Sequence, residues 1–221
     1  GKLQIKPKVR LVTVPEFAAE YLGNAQKTKA KNTYENFDRP AVQHFAAWFG
    51  RKPLGMVDPE TLSKWRDTLL AEFKPNTVRM WLRTLSSAFG YAVEKRYLSE
   101  NPFKSVRQST LYPKADDVAR YLTHGEIQRL IPALPLNVAK AVYFLLNTGL
   151  RHGELLALDW KSIHRPEGLW TMEITRTKTG KSRIVEIPDP AREVLGEPRS
   201  DGKVFPWGTR DVVDTALRIA A

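Results

Sequence analysis

The sequence predicts a mainly α-helical protein with one small antiparallel β-hairpin, arranged as a helical first domain and an α+β second domain. Three observations carry this. From Val78 to Val93 apolar residues recur at spacings of three and four, the period of a helix with one buried face. Trp170, Met172 and Ile174 alternate with polar residues, as do Val185 and Ile187, which is the period of strands. Between these regions stands Asn101-Pro102, and a residue before proline resists the helical backbone, so one unit ends there. A chain of 221 residues has room for two ordinary domains.

Residues 1–13, with Lys2, Lys6 and Lys8, read as a basic arm. A first helix is expected near Pro15 to Leu22, because proline suits the first turn. Residues 30–49 are helical in pattern, with Phe45, Trp48 and Phe49 on the apolar face; Pro40 lacks the amide hydrogen a helix interior needs, so it should kink or split this run. Asp58-Pro59 starts another helix, the carboxylate capping it and the proline filling its first turn, with Leu62, Trp65, Leu69 and Phe73 on one side. The clearest helix buries Val78, Trp81, Leu82, Leu85, Ala88, Phe89, Ala92 and Val93 and carries Arg79 and Arg83 elsewhere. The spacing of Trp48, Trp65, Trp81 and Phe89 points to core packing rather than base stacking.

These helices make a domain over residues 14–103, followed by a linker over 104–121 that shows no period. A second domain, 122–221, opens on Thr123 and Glu126, a capping box before Ile127, Leu130 and Ile131. The apolar run from Val138 to Leu146 enters a turn at Gly149, and Leu155, Leu156 and Leu158 lead out of it. Arg151 is thereby expected at a joint between two buried helices, its stem in apolar packing. Beyond it lie the hairpin, with Thr177-Lys178-Thr179-Gly180-Lys181 at its tip, a short helix near Pro190 to Leu195, a Gly- and Pro-rich loop, and a last helix from Thr209.

Composition narrows the function. There is no cysteine, and the histidines, at 44, 124, 152 and 164, are scattered, so neither disulfides nor a structural zinc site is expected. No apolar run is long enough to span a bilayer and no secretion signal opens the chain, which predicts an intracellular protein. The net charge of +11 is lopsided: residues 1–114 carry 20 Lys/Arg against 10 Asp/Glu, and residues 115–221 carry 15 against 14. Such asymmetry points to a polyanion, nucleic acid first.

Individual residues have two readings each at this level. Arg151 either grips an anion through its fork or pairs structurally with Glu154. Arg79 and Arg83, one turn apart, either meet DNA or are solvated. Lys178 on a hairpin tip either reaches over a phosphate, where an ammonium can protonate a departing oxygen, or lies in water. Gly180-Lys181-Ser182 is not a nucleotide-binding loop, because Thr175 stands where that loop requires glycine and a strand follows it.

Taken in order, the basic helical domain, the Asn101-Pro102 exit, Leu122-Thr123 with Glu126, the segment from Thr148 to Trp160 (TGLRHGELLALDW) and the hairpin bearing Lys178 resemble the tyrosine recombinase family, the integrases of phages and mobile elements. The resemblance runs from about Val14 to the end, and residues 148–160 match nearly position for position. It implies that Arg151 is the first catalytic arginine, clamping the scissile phosphate, and that Glu154 supports it from behind. Lys178 would be the hairpin lysine that protonates the 5′-oxygen leaving group, with Lys181 taking that place if the turn is shifted. The first domain would be the core-binding domain, half of a clamp on double-stranded DNA, with Arg79, Arg83, Lys104 and Arg107 as contacts. No metal or other cofactor is implied, because attack by a tyrosine stores the phosphodiester as a 3′-phosphotyrosyl link.

The sequence departs from the family in two respects. No His-x-x-Arg occurs, the residues three beyond the histidines being Ala47, Ile127, Leu155 and Glu167. All seven tyrosines precede Arg151, whereas the family's nucleophile follows it. The expectation is therefore a core-binding domain plus a catalytic domain lacking its C-terminal part, which binds DNA without cutting it. Missing partners would leave apolar surface around Leu217 and Ile219. The resemblance further implies a bacterial or phage protein of the cytoplasm, nucleoid-associated, tetrameric on DNA when whole; this chain alone is expected as a monomer. The alternatives are a non-catalytic DNA-binding regulator on the same scaffold, or a structural protein whose basic face is incidental.

Overall fold

A computed structural model describes residues 10–114, 121–175 and 181–206. The chain forms two compact units, Gly1–Ala119 and Arg120–Ala221. Helices dominate both, and the second unit adds a three-stranded antiparallel sheet.

In the first unit, α1 (Val14–Thr28) runs beyond the expected Leu22, because Tyr21 and Ala25 continue its buried stripe. Its start is fixed by Glu16, whose carboxylate accepts from the Thr13 amide at 2.8 Å. Pro40 exerts its effect just upstream. The turn α2 (Lys31–Thr33) passes into a π turn, Tyr34–Asp38, and the Arg39 amide bonds back five residues to Tyr34 before α3 (Arg39–Phe49) resumes. The π turn holds a buried charge. Asp38, 1% exposed, accepts from the Tyr21 hydroxyl and the Lys29 ammonium, both at 2.6 Å.

Helices α4 (Pro59–Glu72) and α5 (Pro75–Glu94) complete the core. Asp58 caps α4 as its sequence predicts, accepting the Thr61 amide at 2.7 Å. Phe17, Phe45, Trp65, Leu69, Leu82, Leu85 and Phe89 pack together with almost no exposure. Two expectations need correction. Trp48 is 37% exposed, since Val42, Phe45 and Phe49 occupy the centre of the stripe on α3 and leave it at the edge. Residues 104–112 are not a linker: a single turn (Pro102–Lys104) and α6 (Gln108–Leu111) fold back on the first unit, burying Phe103 and Leu111. Arg66 of α4 donates to the Thr110 carbonyl and fastens α6. Elements of three or four residues are too short to show a period. The basic arm through residue 9 and residues 115–120 lie outside the described residues.

The second unit begins with α7 (His124–Ala133), whose capping box forms as expected, the Thr123 amide donating to Glu126 at 2.7 Å. Next come α8 (Leu136–Thr148), α9 (His152–Ala157), β1 (Ile163–His164), β2 (Thr171–Ile174), β3 (Arg183–Glu186) and α10 (Asp189–Glu193). The strand order is β1-β2-β3, with Met172 opposite Ile163 and Val185, and Ile174 opposite Arg183. The expected hairpin is present. β1 is invisible to periodicity because it has only two residues. Phe144, Leu155, Met172, Ile174, Ile187 and Phe205 close a core around the sheet. Among the described residues, no helix is long and apolar enough to cross a membrane. The hairpin tip, 176–180, and the expected helix from Thr209, with Leu217 and Ile219, lie outside the described residues.

Candidate functional site

The site in the second unit is built by a reversal of chain direction. Thr148 ends α8, its hydroxyl donating to the Phe144 carbonyl at 2.7 Å. Gly149 then takes the left-handed conformation (φ 64°, ψ 17°), which a residue without a β-carbon adopts without strain. Leu150 tucks into the core, and the next residue, Arg151, emerges as the cap of α9.

The apolar pattern around Arg151 predicts a stem held in apolar packing. It is not there. The Arg151 side chain is 67% exposed, whereas that of Glu154 is 3% exposed. Arginine offers no acceptor to cap a helix, so the cap is one-sided: Glu154 Oε2 accepts the Arg151 amide at 2.9 Å, and Oε1 accepts Arg151 Nη1 at 3.1 Å. The helix turn thus buries a carboxylate and presents a guanidinium outward.

A residue not singled out in the sequence completes this arrangement. Arg183, at the start of β3, donates Nη1 to Glu154 Oε1 at 2.8 Å and Nη2 to Oε2 at 2.7 Å. This paired, charge-assisted contact is the main force that lowers the Glu154 pKa to about 2, against burial, which raises it; the Arg151 amide and guanidinium add smaller contributions. A signal for Arg183 is present in the sequence. By strand alternation it shares a face with Val185 and Ile187, and an arginine on an inward face requires a buried partner.

Lys181 is exposed two residues before Arg183, so its chain position is fixed near the Arg183–Glu154 pair. Lys178 lies outside the described residues. A cavity of about 790 Å³ elsewhere in this unit, bounded by Leu136, Lys140, Trp160, Leu195, Arg199 and Phe205, takes in none of Arg151, Glu154 or Arg183. Among the described residues, no group of three or more metal-ligating side chains is assembled.

The first unit carries a second candidate surface. Arg79 and Arg83 of α5 share a groove of about 380 Å³ with Gln108, Ser109, Tyr112, Pro113 and Lys114. Three cations converge there with an amide and two hydroxyls, a set suited to a phosphodiester backbone. Tyr112 is fixed by a hydrogen bond with Ser86, and its burial raises its pKa. Of the other expected contacts, Lys104 and Arg107 are exposed on the segment leading to this groove but do not line it.

Comparison with known proteins accounts for both units. Residues 13–110 match the phage integrase SAM-like domain, and residues 120–206 match the phage integrase family. The chain belongs to the phage integrase family of tyrosine recombinases. Only the two termini and residues 111–119 fall outside the two family matches. Among curated integrases and recombinases, the shufflon-specific DNA recombinase of Escherichia coli is 28% identical over 86% of this chain and 50% of its own length. The XerC-like tyrosine recombinase of Caldanaerobacter subterraneus is 35% identical over 59% of this chain and 34% of its own. The chain spans about half the length of the curated relatives it matches. The integrase fold is shared with the lambda integrase tetramer bound to a Holliday junction (TM-score 0.76, 18% identity, 95% of this chain and 66% of that one). The Tn1549 transposon integrase in complex with circular intermediate DNA shares it too (TM-score 0.64, 18% identity, 83% and 63%).

Proposed function

We propose that this chain is the DNA-holding part of a site-specific tyrosine recombinase. Arg151 takes a phosphate of duplex DNA, and the groove at Arg79, Arg83 and Lys114 holds the backbone, with Lys104 and Arg107 extending that contact. The observation that carries this reading is the placement of Arg151: its guanidinium is outward, tethered by one bond to a buried carboxylate that a second arginine already neutralises. A cation in that position has donors to spare for an anion, and a structural salt bridge would not need it exposed.

In the whole protein the chemistry is strand exchange without a cofactor. A tyrosine attacks the phosphodiester, the 3′-phosphotyrosyl bond forms as the 5′-oxygen leaves, and the reverse attack by a second strand's 5′-hydroxyl rejoins DNA. Arg151 stabilises charge on the phosphate oxygens, Glu154 positions it, and Lys178, with Lys181 as the alternative, protonates the leaving oxygen. These 221 residues have neither His-x-x-Arg nor a tyrosine after Arg151, so this chain by itself binds DNA and does not cleave it. Its working place is the cytoplasm, on DNA, where the whole protein assembles as a tetramer and this chain alone is a monomer.

The test is binding of a labelled duplex as salt is raised. Phosphate-driven binding weakens steeply with salt. Weak binding even at low salt, or binding insensitive to salt, would remove the reading and leave a basic surface without a DNA role.

A further inference from the structure

The Glu154 carboxylate is too deeply buried to stay ionised unpartnered, and two guanidiniums compete for it. They share it unequally. Arg183 makes two bonds at 2.7 and 2.8 Å, and Arg151 makes one from its side chain at 3.1 Å. With Arg183 in place, Glu154 is nearly satisfied and draws only one nitrogen of Arg151. Among the described residues, Arg151 Nε and Nη2 meet no other acceptor. Without Arg183 the same buried carboxylate would have, among the described residues, Arg151 as its one side-chain cation, and the attraction would draw that guanidinium inward.

We propose that Arg183 is a positioning residue: by satisfying Glu154 it holds the guanidinium of Arg151 outward, available to a DNA phosphate. This rests on the phosphate-binding role proposed for Arg151. Arg183 has a second effect through its place in the chain. It begins β3, directly after the segment that carries Lys178 and Lys181, so one carboxylate ties the arginine turn to the base of the basic hairpin.

The test is a set of affinities of the 221-residue chain for one labelled duplex at fixed low salt, read by fluorescence anisotropy. Arg151→Ala should weaken binding about tenfold, the value of one charge-assisted phosphate contact. Arg183→Gln should weaken it by most of that factor and cause no further loss when combined with Arg151→Ala. The distinguishing variant is Glu154→Gln with Arg183→Gln: removing the charge that captures Arg151 should raise affinity several-fold above that of Arg183→Gln alone, about threefold or more, following the same charge logic. Arg183→Lys, which keeps a charge but loses the paired geometry, should fall between and serves if Arg183→Gln does not fold. A lower melting temperature with unchanged affinity in the Arg183 variants would make Arg183 merely structural and overturn the inference, as would losses that multiply with Arg151→Ala. Failure of the double variant to regain affinity would also overturn it. If Arg151→Ala binds like the parent, the phosphate reading falls first and the inference falls with it.

Discussion

Arg183 grips Glu154 with both terminal nitrogens, at 2.8 and 2.7 Å, across a sequence separation of 29 residues. The pairing makes stability depend on acid. The Glu154 pKa is about 2 in the folded chain against 4.5 ordinarily, so its stabilisation is fully present above pH 4.5 and is lost as pH falls toward 2. The shift corresponds to roughly 3 kcal/mol. Urea midpoints of the parent and Glu154→Gln should differ at neutral pH and converge across that window; a constant gap would show that the carboxylate is not the titrating group.

Arg151→Ala should leave the fold intact, because the side chain is 67% exposed and contributes a single bond to Glu154. Its effect belongs to DNA. The slope of log affinity against log salt should become shallower by about 1, as expected when one fewer phosphate is neutralised.

The groove of the first unit should behave similarly with larger amplitude. Replacing Arg79 and Arg83 together by Ala is expected to reduce the salt slope by about 2 while a near-ultraviolet dichroism spectrum stays unchanged. If the slope is unaltered, these side chains are solvated and the DNA lies elsewhere.

Lys29→Met tests the buried network. Among the described residues it leaves Asp38, 1% exposed, with the Tyr21 hydroxyl alone, and stability should drop by about 2–4 kcal/mol in chemical denaturation. Lys29→Met combined with Asp38→Leu should recover part of that loss, because removing both charges also removes the uncompensated one.

A nicked suicide duplex, which traps covalent protein on DNA, should give no adduct with this chain. A band surviving denaturation would mean that a tyrosine preceding Arg151 acts as nucleophile, contrary to the proposed function.

Much of this fold is legible in the sequence where elements are long. The stripe of α5 and the Asp58 and Thr123 caps appear as periodicity and cap chemistry predict, because they depend on neighbours three or four residues away. What escapes is short or long-range. α6 and β1 have too few residues to repeat a pattern, and the exposure of Arg151 depends on Arg183, which nothing nearby in sequence connects to Glu154. The motif points to Arg151 and Glu154 alike, but only the folded turn divides their roles into an outward cation and an inward anion.

The π turn at Tyr34–Asp38 carries a consequence for length variation in this chain. Such a turn accommodates one residue beyond α-helical spacing, and each residue of an α-helix advances the helix face by about 100°. A one-residue deletion within α3 would swing Phe45 and Phe49 away from the core they fill. The same deletion at Glu35 or Asn36 would instead convert the π turn to ordinary helix and leave the downstream face where it is. The segment thus acts as a spacer in which an insertion or deletion can be absorbed, provided that Asp38 still reaches Lys29 and Tyr21.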